Sequence, residues 1–369
     1  MKSHRPLRLV IGALVGALAL AAVAAPAVAK TPQASSETTT VRLGVFANVT
    51  HAPGLVAIES GLLQKALGKD VKLEVTYFNA GPLVITALLA DAIDVSYIGP
   101  NPSITGFAQS NGEALRIISG STSAGASLVV KPSITKVSDL KGKKIATPQL
   151  GNTQDVAARS YLKQKGLSTD TSGGGDVSIL PTANATTLTS FQQGTIDGAW
   201  VPEPWASRLV NEAGGKVLVD EASLWPDGQF VTTQLIAATG FIKDNPKTIT
   251  NLLKGNIEAV DFANTNRTVA EKLVATGIFN GTGQKVDPAT ITNSWDKMTF
   301  TVDPLAATLA KSAKDAQSVG LLDPVKLKGI YDLKPLNKIL KAQGKPVVSD
   351  KLDAAAATKS TTSTTKATS

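Results

Sequence analysis

Cysteine is absent from all 369 residues. That excludes disulfides, a thiolate nucleophile, a cysteine-ligated metal and a lipid-modified cysteine, so stability has to come from the packed core. Histidine is nearly absent, His4 and His51 being the two. Because His4 falls in a leader-like segment, the body retains His51, which excludes a multi-histidine zinc site and every Ser-His-Asp triad except one built on that residue. Neither G-x-S-x-G nor G-x-x-x-x-G-K-[ST] occurs, and Gly173-Gly174-Gly175 lies between a helix and a strand, where it fits a turn rather than a phosphate cradle. No basic cluster interleaved with aromatics is present. The densest run, Lys141-Gly142-Lys143-Lys144, fits a solvated turn, so nucleic acid is not an expected partner. The net charge of +8 draws on Lys2, Arg5, Arg8, Lys359 and Lys366 near the two ends, which leaves the body mildly basic. No repeat at solenoid spacing is found.

What is present begins with Lys2, Arg5 and Arg8 ahead of the apolar run Leu9 to Ala25, followed by Pro26 and the small-x-small string Ala27-Val28-Ala29. This pattern predicts a signal peptide over residues 1–29, a mature start at Lys30 and an extracytoplasmic location, in the periplasm or at the cell surface. The alternative is a retained membrane anchor, since the run is close to spanning length. Residues 30–40 and 351–369 are Ser/Thr-rich and lack apolar periodicity, which predicts a flexible linker and a disordered tail.

The remaining body of about 300 residues exceeds the size at which one core usually divides. Val41 to Ala47 alternates as a strand does, and Leu55, Ile58, Leu62, Leu63 and Leu67 then share one helical face. Strands at 71–78 and 95–99 each lead into a helix opened by Gly81-Pro82 or Asn101-Pro102, with proline suited to the first turn. Residues 143–219 repeat the alternation, Gln229 to Thr239 is strand-like, and Phe241 to Gln317 is nearly all helical. The βαβ order predicts an α/β fold whose two mixed, mostly parallel sheets carry helices on both faces, with a ligand cleft between two lobes.

Several segments in this order are similar to the sulfonate, taurine and nitrate family of ABC-type solute-binding proteins. They are Asn79-Ala-Gly-Pro82, Ala87-Leu88, Ile93-Asp94, Ile98-Gly99-Pro-Asn-Pro102, Ser138-Asp-Leu-Lys-Gly-Lys143, Gly151-Asn-Thr-Gln154 and Ile196-Asp-Gly-Ala-Trp-Val-Pro-Glu-Pro-Trp205. The resemblance spans roughly Val41 to Leu322. It implies a type II periplasmic-binding-protein fold with crossovers near Ser121 to Leu128 and Gln229 to Thr233. Lobe 1 would then be discontinuous, 41–124 plus 232–350, and lobe 2 would be 125–231. It also implies a monomer that captures a small-molecule anion, an aliphatic sulfonate or taurine, and delivers it to the membrane permease and ATPase subunits of an importer. Nitrate, bicarbonate and thiamine-pyrimidine precursors are the other ligand classes of the superfamily, and a lyase on the same fold, with Glu203 or Asp155 as base, is the enzymatic alternative. No cofactor, no metal ligand and no catalytic residue is expected.

Independently of that resemblance, ligands of open α/β sheets sit outside the carboxyl ends of strands, where helix N-termini expose N–H groups and positive dipole ends. The helix starts at Gly81, Asn101 and Asn152-Thr153 qualify, two from one lobe and one from the other. His51 follows the first strand and suits either a helix cap or ligand contact. Asn152 and Thr153 are good cap residues too, so capping and anion binding compete for them. Trp200 is either core or a cleft wall. Glu203, if it faces the cleft, would repel a bare anion and favour a ligand amine or a metal. The candidate ligand-binding residues are therefore His51, Asn79, Gly81, Asn101, Asn152, Thr153, Gln154, Trp200 and Glu203.

Overall fold

The computed structural model describes residues 39–352. The expected signal peptide, most of the linker and nearly all of the tail lie outside them. Thr39 and Thr40, placed in the linker by composition, instead begin the first strand and pair with Val71 and Lys72. Both are β-branched, which suits a pleated backbone.

The first lobe is built from β1 (Thr39–Phe46), α1 (Ala52–Glu59), α2 (Leu62–Leu67), β2 (Val71–Phe78), α3 (Gly81–Leu89), β3 (Val95–Ile98), α4 (Pro100–Gln109) and β4 (Leu115–Ala124). The chain then enters a second sheet through β5 (Ala126–Val130), β6 (Lys144–Thr147), α5 (Thr153–Gln164), β7 (Ser178–Pro181), α6 (Asn184–Gln192), β8 (Gly198–Pro202), α7 (Trp205–Ala213) and β9 (Lys216–Asp220). It returns to the first with β10 (Val231–Ala238), α8 (Thr239–Asp244), α9 (Pro246–Thr265), α10 (Arg267–Thr282), α11 (Pro288–Trp295), β11 (Met298–Phe300), α12 (Ala306–Ser318) and α13 (Lys334–Ala342). Proline sits in the first turn of α1, α3, α4, α9, α11 and α13. Its missing N–H is no loss there and its fixed φ favours the turn.

The six-stranded sheet runs β11-β4-β10-β3-β1-β2 and the five-stranded sheet β7-β6-β8-β5-β9. In the first, β10 and β11 oppose the other four strands; in the second, β5 alone is reversed. Each sheet is covered on both faces. The first packs one apolar layer under α1, α2, α9 and α10 and another under α3, α4 and α12, while the second divides its core between the α5 side and the α6–α7 side. The chain passes between sheets at Ala124 and Gly125, with φ of 65° and 83°. A side chain at Gly125 would also press on Met298, 2.9 Å away. The return segment lies beside this crossing, since Ala124 N–H donates to the Phe230 carbonyl at 3.0 Å and Phe230 N–H donates to Ser123 Oγ at 3.2 Å.

Candidate functional site

The carboxyl ends of β1, β2, β3, β6 and β8 and the helix starts that follow them converge on a small cavity, about 20 Å³, between the sheets. The first lobe contributes Phe46, Asn48, Thr50, His51, Asn79 and Gly99, the second Asn152, Thr153, Gln154, Asn184 and Pro202, and the crossing strand β10 adds Thr232 and Thr233. The two lobes meet closely here because Gly99 has no side chain. A Cβ at that position would stand 2.3 Å from Thr153 Oγ1.

Among the described residues the lining carries polar groups in quantity and no ionised side chain. His51 is 3% exposed and stacks on Phe46 with ring centroids 4.3 Å apart. Its Nδ1 accepts from Phe46 N–H at 3.4 Å, which leaves the ring proton on Nε2,. Burial lowers its pKa to about 3, so at neutral pH it offers a donor and no charge. It makes no side-chain cap to α1. Asn152 likewise does not cap α5 with its side chain. Asp155, in the first turn of α5, instead secures the preceding loop, its carboxylate accepting from Gly151 N–H at 3.0 Å and Thr147 Oγ at 2.7 Å. Asn48 Oδ1 accepts from Trp205 Nε1 at 2.8 Å, a bond that joins the lobes and fixes the amide with its N–H groups free for other partners.

Three buried atoms of the lining, Thr153 Oγ1, Thr233 Oγ1 and Asn184 Oδ1, have no hydrogen-bond partner among the described residues. A buried polar atom without a partner costs about 1–3 kcal/mol. Three of them around one small cavity mark a surface built for a polar ligand.

Of the nine residues expected from the sequence, His51, Asn79, Asn152, Thr153 and Gln154 line the cavity together. Gly81 opens α3 against Pro102, near Asn152, without reaching the lining. Asn101 is turned into its own lobe, where Nδ2 donates to the Ser312 carbonyl at 3.1 Å. Trp200 is fully buried in the core of the second lobe, 5.4 Å from the Tyr161 ring, with Nε1 donating to Glu221 Oε2 at 2.7 Å. The cleft-wall reading fails because Trp200 lies two residues short of the end of β8, about 7 Å below its rim. Glu203 is also fully buried and points away from the cavity. Its Oε1 accepts from Lys297 Nζ at 2.8 Å, and Oε2 accepts from Ser294 Oγ and from Ser207 N–H, both at 3.0 Å. With both oxygens engaged it ties α11 to α7, away from the cavity. Asn48, Thr50, Asn184, Thr232 and Thr233 were missed. Asn184 was findable, since it begins the helix after β7 just as Asn152 stands at the start of α5.

Residues 34–278 match the NMT1-like family. The taurine-binding periplasmic protein of Escherichia coli K12 is 27% identical over 219 residues, covering 59% of this chain and 65% of that protein. Among solved structures, the alkanesulfonate-binding protein SsuA from Xanthomonas axonopodis pv. citri, bound to MOPS, superposes with a TM-score of 0.66 at 21% identity over 78% of this chain and 96% of its own. The periplasmic nitrate-binding protein NrtA from Synechocystis PCC 6803 gives 0.71 at 18% identity over 84% and 90%. At these identities the structural likeness establishes the two-lobed fold. The chain spans about 62% of the length of the first curated relatives it matches.

Proposed function

Because this chain belongs to the NMT1-like family, and with it to the ABC-type substrate-binding proteins, we propose that it captures a small anion outside the cytoplasm for an importer. The ligand would be an aliphatic sulfonate or taurine, held by lobe closure and handed unchanged to the membrane permease and its ATPase. Lobe 1 is assigned to residues 41–124 with 232–350 and lobe 2 to 125–231. The observation that carries the reading is the cavity between them, ringed by helix starts from both lobes and lined by Thr153, Thr233 and Asn184 atoms without protein partners. The two threonine hydroxyls are neutral donors which, aided by the dipole ends of α4 and α5, hold an oxyanion without a buried cation. They also keep the site free of a strong counter-charge that would slow release.

The ring of amides supports a second class. Asn184 Oδ1 is an acceptor without a donor, which favours a ligand carrying N–H groups, such as a pyrimidine. A thermal-shift screen against alkanesulfonates, taurine, nitrate, bicarbonate and pyrimidines separates the classes. A micromolar ligand in large excess adds about 2–4 kcal/mol of stability. Failure of every compound to raise the unfolding temperature would reject the binding-protein reading, and turnover of any of them would favour the lyase.

A further inference from the structure

Although no ionised side chain among the described residues lines the cavity, a buried ion pair stands directly behind the lining. Asp155 is in the first turn of α5, two residues after Thr153, and is fully buried. Its carboxylate accepts from Gly151 N–H, next to Asn152, and from Thr147 Oγ at the end of β6. The charge is thereby fixed beside the helix end from which Asn152, Thr153 and Gln154 line the cavity. Arg159, 1% exposed, pairs with it through Nε, 3.2 and 3.1 Å from the two oxygens. Its Nη1 donates to the Asp170 carbonyl, in the loop that precedes β7 and so at the end of the sheet remote from the cavity. Asp155 and Arg159 are four residues apart, about 6 Å along the helix. The pair is neutral in sum but oriented, with its negative end toward the cavity. It opposes the dipole of α5, whose positive end faces the same way.

Resting on the reading of the cavity as an anion site, we propose that Asp155 sets the charge of the ligand, favouring a monoanion over a dianion. One negative charge is held by the Thr153 and Thr233 hydroxyls and by the open N–H groups of the first turn of α5,. Each further unit of charge meets the carboxylate again, and no cation in the lining offsets it. With the carboxylate about 7 Å and the guanidinium about 11 Å from the ligand, and an effective dielectric constant of about 20, the pair weakens binding about fourfold per unit of ligand charge. The carboxylate without its partner would weaken it about fiftyfold. Asp155 thus governs specificity without touching the ligand, and Arg159 is the positioning residue that tempers it.

Direct and displacement calorimetry of the mature protein and two variants with methanesulfonate and sulfate, at one ionic strength, tests this. Both anions carry oxygens tetrahedrally on sulfur and they differ by one charge. The unmodified protein should bind methanesulfonate more tightly. Asp155→Asn keeps an oxygen for Thr147 but leaves Arg159 without its acid, and should raise the sulfate to methanesulfonate affinity ratio about fiftyfold. Asp155→Asn/Arg159→Met removes both charges and should raise the ratio about fourfold; it strands no buried charge, so it serves where the single variant does not fold. A purely structural role would weaken both anions together and leave the ratio where it was. Sulfate bound as tightly as methanesulfonate by the unmodified protein, or a ratio unmoved in the double variant, overturns the role of Asp155 while leaving anion capture standing. Absence of binding by both anions in all three proteins overturns the anion reading as well.

Discussion

Replacing Gly99 with alanine should abolish most ligand affinity without unfolding the protein. Gly99 has φ −74° and ψ 163°, a conformation alanine adopts freely, and loss of glycine's freedom in the unfolded chain stabilises by about 0.4–1 kcal/mol. The added methyl, however, would lie 2.3 Å from Thr153 Oγ1 and 3.4 Å from Thr153 Cβ. The first distance is more than about 1 Å inside van der Waals contact. Either the lobes stay apart or Thr153 turns its hydroxyl elsewhere, and both outcomes remove a donor from the cavity. Losing one hydrogen bond to a charged ligand costs about 1.5–3 kcal/mol, roughly tenfold to 150-fold in affinity. Thr153→Ala should cost the same. In the Gly99→Ala/Thr153→Ala double variant the offending oxygen is gone and the 3.4 Å contact with Cβ is ordinary. The double variant should therefore bind as Thr153→Ala does, with a coupling about equal to either single effect. Calorimetry on the four proteins decides the matter: wild-type affinity in Gly99→Ala, or additive losses in the double variant, would refute the argument.

Lys297→Met should lower the unfolding free energy by about 2–4 kcal/mol, read from urea melts, because the buried carboxylate of Glu203 keeps its two neutral donors but loses its cation; ligand affinity should change far less. Trp200→Ala belongs with it, costing about 3–5 kcal/mol of stability through the cavity left in the core. Glu221 is fully buried, and burial raises its pKa to about 7 despite the bond from Trp200. With a folded value above the unfolded one, its contribution is fully present below pH 4.5 and is lost as pH rises toward 7. Glu221→Gln should consequently gain stability relative to the parent over that interval, read from urea melts at each pH. N-terminal sequencing of secreted protein should begin at Lys30; a chain retaining Met1 in the membrane would contradict the leader.

The alternation of strands and helices was legible because strands such as β1 and β3 are rich in apolar residues and many helix starts carry proline or a small polar residue. The same signal located five cavity residues. It could not tell Trp200 from Trp205, since a strand's last residue is uncertain by a few positions in sequence and each position moves a side chain about 3.3 Å and to the other face. Glu203 misled for a related reason: its partners Lys297 and Ser294 are about 90 residues away, and nothing local announces a buried bracket. Two strands went unseen. Met298–Phe300 has three residues inside a mostly helical stretch, and Ala126–Val130 lies in a segment expected to be a crossover. Both are defined by their partners, β4 and β8 with β9, rather than by their own pattern.

The position of β10 bears on the order in which the two sheets can be completed as the chain is made. This strand is wedged between β4 and β3, so the 124 residues that come first cannot join their strands into one sheet by themselves. β3, β1 and β2 can associate, but β4 has no neighbour among them. The second lobe, by contrast, has all five of its strands by Asp220. In chain order the second sheet is complete first, and the edge of β3 has no partner until residues 231–238 are present to join it to β4,.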